Sequence, residues 1–469
     1  MNAKTLSLLL SGPALLILTL ITPPPLAAMS AAAWHTTGLM LWMVLWWISE
    51  VMPIPVTSIL PMIFIPLLGI APMDAATAPY AHPLIFLFFG GFFLSIAMEK
   101  TGLHQRIALR ALMLVGQQPA AQVAGLMAVT AFLSMWMSNT ATAVMMLPIG
   151  LSMIKMANAS SQDSFAKAVL LAIAYSASIG GIATLIGTPP NALLAAYLAK
   201  SYQIQISFAD WMLLGVPLAA VMLLCCWFWL CKIHFKLPNQ SSTRHDFAQQ
   251  LAALGPLRGS EARVLMVFAL AATCWIAQQW LARWSGLPLS DTMIALLAAL
   301  LLFLLPGDQN NQRILVWQDS QQLPWGVLLL FGGGLTMAEQ IQRTGVADLL
   351  AQQLSLLGGI SPVLILLLVT TLIIFLTEVT SNTATAAAFI PLLGPVAVSM
   401  ELSPLYLVVP AALAASFAFM LPVATPPNAI VFASGQLPIK DMVKAGLVLN
   451  LVGIAAIAAA STWLGPFLL

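Results

Sequence analysis

Ser138-Asn139-Thr140-Ala141-Thr142-Ala143 stands in the middle of a long apolar stretch, and the same six residues return unchanged as Ser381-Asn382-Thr383-Ala384-Thr385-Ala386, 243 positions later. The register of this repeat extends outward. Phe89-Gly90-Gly91 is matched by Gly332-Gly333-Gly334 with Phe331 ahead of it, Lys100-Thr101-Gly102 by Arg343-Thr344-Gly345, and Pro148 by Pro391, all at the same spacing. A further block, Thr188-Pro189-Pro190-Asn191-Ala192, returns as Thr425-Pro426-Pro427-Asn428-Ala429 at a spacing of 237, so one copy has lost six residues between blocks. Ordered blocks that keep phase make the chain two related halves.

Composition says where those halves sit. Charged residues are 7% of the 469 and AVILMFWYC are 61%, against roughly 25% and 45–50% in soluble globular proteins. So few charges cannot cover a surface facing water. Apolar runs of roughly 17–25 residues, long enough to cross a hydrocarbon core, recur along nearly the whole chain. The reading is an all-α polytopic membrane protein, with spans near 5–22, 34–51, 54–71, 82–99, 165–199, 209–231, 263–282, 289–306, 324–341, 403–434 and 442–466. Two stretches, 121–155 and 360–400, are too long for one span, and each carries Ser-Asn-Thr at its middle. Each reads as a re-entrant helical hairpin that dips into the bilayer and returns to its own side.

Counting basic residues tests that layout, because short cytoplasmic loops are enriched in them. With a cytoplasmic N-terminus and both hairpins returning, only Lys200, Arg283 and Arg343 of the 17 Lys and Arg fall outside. Making either hairpin a full crossing spoils the count. The first hairpin then opens to the cytoplasm and the second to the outside, which makes the halves inverted repeats, the architecture of secondary transporters. The polar stretch 237–262, with Pro238, Gln240, Ser241, Ser242 and Arg244, is the natural linker. The first segment, Leu6 to Ile21, is read as a retained span rather than a cleaved signal.

The repeated blocks carry chemistry because a hairpin turn inside lipid leaves backbone groups unpaired. Thr140 or Asn139 can cap the returning helix, whose N–H groups and positive dipole end then favour an anion. The outgoing half-helix ends in carbonyls. With the oxygens of Ser134, Ser138 and Asn139 these suit a hard cation such as sodium. Thr-Pro-Pro-Asn inside an apolar run marks a broken span, since Thr is a good N-cap and proline is favoured at the first helical position. Thr188 and Thr425 should therefore start second half-helices aimed inward. A lone Ser-Asn-Thr is ordinarily helix-packing glue and a lone Pro-Pro a kink. Duplication in phase, each block at a break, favours a site.

Other residues narrow the field. No Lys or Arg is next to either Ser-Asn-Thr, so an anion would be held by dipoles, hydroxyls, amides and bound cations. Glu378 is the only acid well inside a hairpin, and its counterpart is Met135; capping or pairing there is favoured over cation or proton coupling. Glu50, Glu99 and Glu339 lie near span ends and are expected to snorkel or pair. Cys225, Cys226, Cys231 and Cys274 lack metal or disulfide spacing, and the five histidines form no clustered metal set. A membrane enzyme is thus unsupported, no cofactor is implied, and no basic stripe points to nucleic acid.

Together the duplicated Ser-Asn-Thr, the two Thr-Pro-Pro-Asn breaks and the early stretch from Trp47 to Pro53, with Val56-Thr57 and Pro61, resemble the divalent anion:sodium symporters of the INDY type. The resemblance covers essentially the whole chain. It implies a homodimer in the cell inner membrane, each protomer with eleven spans and two hairpins divided into scaffold and transport domains that work as an elevator. Residues 1–71 and 209–306 would be scaffold, and 82–199 and 320–469 the transport halves. It further implies a first sodium site at Ser134, Ser138, Asn139 and the Gly187 carbonyl, and a second at Thr377, Thr380, Asn382 and Ala424. Substrate carboxylates would meet Asn139, Thr140, Asn382, Thr383 and Pro426, with Thr188, Pro189 and Thr425 close by. One departure stands out: the first hairpin has Ser134 and Met137 where the second has Thr377 and Thr380, so the two sites need not match in affinity. The expected function is sodium-coupled symport of a small dicarboxylate; alternatives are a sodium-independent exchanger or a sodium-coupled sulfate carrier.

Overall fold

A chain with this many apolar residues and so few strand-forming alternations builds helices, and the structure, a computed structural model, is helical throughout its regular elements among the described residues. Those are residues 3–116, 118–157, 163–237, 247–308, 312–349 and 361–463. The linker residues Pro238, Gln240, Ser241, Ser242 and Arg244 lie outside them, as do residue 360 and residues 464–466 at the edges of the expected second hairpin and last span. The first helices are α1 (Ala3–Ile21), α2 (Ala31–Ser49), α3 (Ile54–Thr57), α4 (Leu60–Leu67), α5 (Met73–Thr77), α6 (Pro83–Thr101) and α7 (Leu103–Met113). The expected span 54–71 is two short helices, because Pro61 lacks an N–H and its ring crowds the carbonyl four residues back. Helix α7 was not among the expected spans; it is an amphipathic helix, with Leu103, Ala108, Leu109 and Leu112 buried and Gln105 and Arg110 exposed.

The first hairpin is α8 (Pro119–Ser134) and α9 (Asn139–Met156), and the first broken span is α10 (Ser164–Gly181) and α11 (Pro189–Tyr202). Then come α12 (Phe208–Phe228), α13 (Phe247–Ala253), α14 (Gly259–Ile276), α15 (Gln278–Ser285), α16 (Asp291–Leu304) and α17 (Trp325–Arg343). The second hairpin is α18 (Pro362–Thr377) and α19 (Asn382–Ser399), the second broken span α20 (Leu405–Ala415) and α21 (Pro426–Phe432), and α22 (Ile439–Trp463) follows. Each break falls where the repeated blocks predict one.

Both arms of the first hairpin lie along α10, and both arms of the second along α20. Ala120 at the start of α8 accepts from Trp227 Nε1 at 2.8 Å, and Ser152 near the end of α9 accepts from Gln250 Nε2 at 2.9 Å. The base of the first hairpin therefore sits beside the end of α12 and the short helix α13. Its second arm runs toward the start of α10, where Gly150 meets Val169 and Ile173. The second arm of the other hairpin runs toward the opposite end of the same broken span, where Pro391 and Gly394 meet Tyr197 and Tyr202 of α11. The second half-helices cross over: α21 packs on α9, and α11 on α19. Neither half can bury its broken span alone.

Packing also cuts across the chain-order division into blocks. Helix α6 lies along α16 and touches α14, whereas α12 lies along α10 and α22. The repeated glycines explain the first of these contacts, since a Cβ on Gly90 would come within 2.6 Å of the Ala295 backbone; small residues let membrane helices approach this closely. In the equivalent place Gly333 of α17 sits against the Ser58 backbone.

Helix α7, which leads into the first hairpin, is fixed by Arg106. Its guanidinium is buried and donates to Glu261 Oε2 at 2.9 Å and to the Gly255 carbonyl at 2.9 Å. Removing one partner of a buried pair leaves an uncompensated charge. Glu261→Ala should cost roughly 3–5 kcal/mol, read as a lower unfolding temperature of the detergent-solubilised protein. Replacing both partners by apolar residues should recover part of that loss.

Candidate transport site at the helix breaks

At the first tip, the link from Met135 to Ser138 brings three oxygens together. Ser134 Oγ lies 2.7 Å from Asn139 Oδ1 and 2.6 Å from the Ala177 carbonyl. The hydroxyl has one proton for two acceptors, so lone pairs converge without enough donors. The second tip repeats this. Thr377 Oγ1 lies 2.7 Å from Asn382 Oδ1 and 3.1 Å from the Ala415 carbonyl. Beside it, the Thr380 and Thr385 hydroxyls are 2.7 Å apart. An oxygen-rich, donor-poor cluster is the environment a hard cation needs.

Capping differs from the sequence expectation. The N-cap of α9 is Ser138, whose side chain accepts from Ala141 N, rather than Asn139 or Thr140. Asn139 is helical already and its side-chain oxygen is turned back to Ser134. Ser381 holds the matching position before α19 without a side-chain bond. Thr188 and Thr425 are N-caps of α11 and α21 as expected, but only Thr425 closes the bond, accepting from Asn428 N at 3.3 Å.

The asparagines of Thr-Pro-Pro-Asn have a role that sequence reasoning missed. Asn191 Nδ2 lies 2.8 Å from the Thr184 carbonyl and 3.3 Å from that of Ile182. Asn428 Nδ2 donates to the carbonyls of Leu421 at 3.0 Å and Ala418 at 3.2 Å. Each amide thus covers carbonyls freed by its own break. Both side-chain oxygens are buried and, among the described residues, without a partner. The repetition of the asparagine was the available signal. Trp211 adds a second donor group at the first break through Nε1 to the Ile182 carbonyl at 2.9 Å.

The two tips and two breaks share one cavity of about 770 Å³. Asn139, Thr140, Thr188, Pro189, Asn382, Thr383, Thr425 and Pro426 all line it, together with Ser138, Gly187, Thr380 and Ala424. Ser134 and Thr377 are fully buried behind the wall, one hydrogen bond away. Thus the first residues of α9, α11, α19 and α21 border the same space. The wall also includes Ser95 of α6, Val327 of α17, and the exposed Glu50, Glu99 and Gln322, none of which the sequence nominated. Ser95 was the available hint, a hydroxyl in an otherwise apolar run. Glu339 pairs instead, with Lys200 at 3.3 Å and Arg343 at 3.6 Å. Among the described residues lining the cavity there is no Lys or Arg.

Broken helices meeting at a polar cavity, in a chain otherwise built for lipid, define a multi-pass membrane transporter. The chain belongs to the family of the sodium:sulfate symporter transmembrane region, which it matches over residues 2–469. That family consists of transporters, not enzymes. The chain is 41% identical to the sodium-dependent dicarboxylate transporter SdcS of Staphylococcus saprophyticus, covering 99% of this chain and 92% of that one. It is 40% identical to the Staphylococcus aureus protein of the same name, covering 98% and 91%. Two solved structures share the fold: the YdaH transporter of Alcanivorax borkumensis, TM-score 0.59 at 12% identity over 99% and 98% of the chains, and MtrF of Neisseria gonorrhoeae, TM-score 0.56 at 14% identity over 99% and 95%.

The unequal caps give a differential test. Thr425→Val should destabilise the solubilised protein by about 1 kcal/mol, the usual worth of a closed N-cap bond. Thr188→Val, which removes no cap bond, should cost less than Thr425→Val. Thermal unfolding of the two variants side by side checks the difference.

Proposed function

We propose that this chain is a sodium-coupled symporter of a small dicarboxylate of the succinate, malate or fumarate type. The observation that carries this is one cavity bordered by both Ser-Asn-Thr tips and, among the described residues, free of basic side chains. Each helix N-terminus carries about half a positive charge, so α9 and α19 offer two anion-favouring ends to one ligand. Two carboxylates separated by two carbons match two such ends. A sulfate, with one centre, needs only one of them. The sodium dependence in the names of the relatives supports the same reading, as do the donor-poor oxygen clusters at Ser134 and Thr377.

In this proposal sodium is held first by Ser134, Ser138, Asn139 and the Gly187 carbonyl, and second by Thr377, Thr380, Asn382 and Ala424. The cations neutralise carbonyl and amide oxygens that would otherwise repel an anion, which is how binding of the two becomes coupled. Asn139, Thr140, Asn382, Thr383 and Pro426 receive the carboxylates, with Thr188, Pro189 and Thr425 around them.

The two halves are inverted repeats in the same reading, supported by the two hairpins extending toward opposite ends of α10–α11. The moving body comprises both hairpins, both broken spans, α12 and α22, which pack on one another. Helix α6 stays with α14 and α16. The protein works as a homodimer in the cell inner membrane, N-terminus in the cytoplasm, and the rim formed by Glu50, Glu99 and Gln322 then faces the cytoplasm. At the other end, Lys200 of α11, in the moving body, pairs with Glu339 of α17 at 3.3 Å.

Uptake of labelled succinate into proteoliposomes should require an inward sodium gradient, and sulfate should compete weakly. Asn139→Ala and Asn382→Ala should each lower uptake by more than about a hundredfold while the protein still reaches the membrane. Sodium-independent dicarboxylate exchange, or near-normal uptake in both variants, would overturn the proposal.

A further inference from the structure

The two broken spans are not built alike. In the first, α10 runs to Gly181 and the link to α11 is residues 182–188; in the second, α20 stops at Ala415 and the link is residues 416–425. The second link is longer by three residues. Aligned on the Thr-Pro-Pro-Asn blocks, its residues Phe419, Met420 and Leu421 correspond to Ile182, Ala183 and Thr184. In the first half the N–H groups of Ile182 and Ala183 are taken by the Gly180 carbonyl at the helix end. In the second half the helix has already ended, and the corresponding N–H groups need another acceptor.

Glu378 is that acceptor. Its Oε1 accepts from Phe419 N at 2.8 Å and Met420 N at 2.9 Å, and its Oε2 from Leu421 N at 3.0 Å. Asn450 of α22 donates a further bond to Oε1 at 2.7 Å. The residue is 3% exposed, and among the described residues it forms no ion pair. The counterpart Met135 can accept none of these bonds. Through them Glu378 holds the middle of the link whose ends carry the second cation cluster. Upstream lies Ala415, whose carbonyl meets Thr377. Downstream, the Leu421 carbonyl takes Ala424 N at 3.2 Å and Asn428 Nδ2 at 3.0 Å.

We propose that Glu378 is the positioning residue of the second cation site: its carboxylate stands in for the missing helical turn, and its unpaired negative charge, next in sequence to Thr377, favours the cation there. This rests on the proposed sodium coupling and adds an asymmetry to it, since the first site has a helix end where the second has a carboxylate. The residue need not touch the ion. Groups that orient metal ligands from behind typically alter affinity by about 10- to 100-fold when changed.

The test uses the full-length protein and two readouts. The first is the sodium concentration giving half-maximal thermal stabilisation in detergent without substrate, with choline keeping ionic strength constant. The second is KM for succinate in proteoliposomes at saturating sodium. Glu378→Gln should raise the sodium midpoint about tenfold and leave succinate KM within about twofold, Glu378→Asp should fall between, and Met135→Leu should change neither. A folded Glu378→Gln protein with an unchanged sodium midpoint, even one with lowered stability, would overturn the proposal. If that variant does not fold, Asn450→Leu decides: a midpoint about threefold higher supports the proposal and an unchanged one overturns it. A wild-type protein stabilised by sodium but unable to carry succinate would sink the dicarboxylate reading and leave the sodium-midpoint readout to decide this one, whereas no sodium stabilisation at all would sink both.

Discussion

A helix that stops in the middle of a membrane leaves backbone N–H and carbonyl groups with no water to meet them, and every part of this site is an answer to that constraint. Around the cavity, among the described residues, the helices break four times, at the two hairpin tips and within the two broken spans. The freed N–H groups are concentrated at the starts of α9, α11, α19 and α21, which border one cavity. The freed carbonyls are partly covered by Asn191, Asn428 and Trp211, and partly left to converge with the Ser134 and Thr377 hydroxyls. Positive ends and oxygen clusters are thus made by the same breaks, and among the described residues no basic side chain lines the cavity they border. In the proposed mechanism such a cavity holds an anion well only when cations occupy the oxygen clusters.

Duplication supplied this arrangement twice, and divergence then made the copies unequal. The first break is tight, closed by a helix end and by Trp211. The second is three residues longer and is closed by Glu378 with Asn450 behind it. The tips differ as well, since Thr380 reaches Thr385 where the first copy has Met137. Two clusters with different supports have reason to bind cations with different strength.

Much of this was legible in the sequence because repetition at a fixed spacing turns weak motifs into strong ones. The span list, both hairpins and both broken spans follow from apolar length and from Ser-Asn-Thr and Thr-Pro-Pro-Asn. All eight residues expected around the substrate border the cavity. What sequence could not give was three-dimensional partnership. The crossing of α11 onto α19 and α21 onto α9, and the packing of α6 on α16, depend on contacts far apart in the chain. The cap of α9 is Ser138, by propensity as good an N-cap as Asn139, and the Asn139 side chain turns back to Ser134 instead. Glu378 was visible as an oddity with no counterpart. Its purpose emerged only with the three N–H groups that surround it.

The central claim is that the anion has no fixed positive side chain and depends on bound sodium for its place. Equilibrium binding of succinate to the purified protein in detergent, measured by calorimetry in sodium and again in choline at equal ionic strength, tests it most directly. The account predicts binding in sodium that is lost in choline and restored in proportion to added sodium. Equal affinity in the two salts would contradict it.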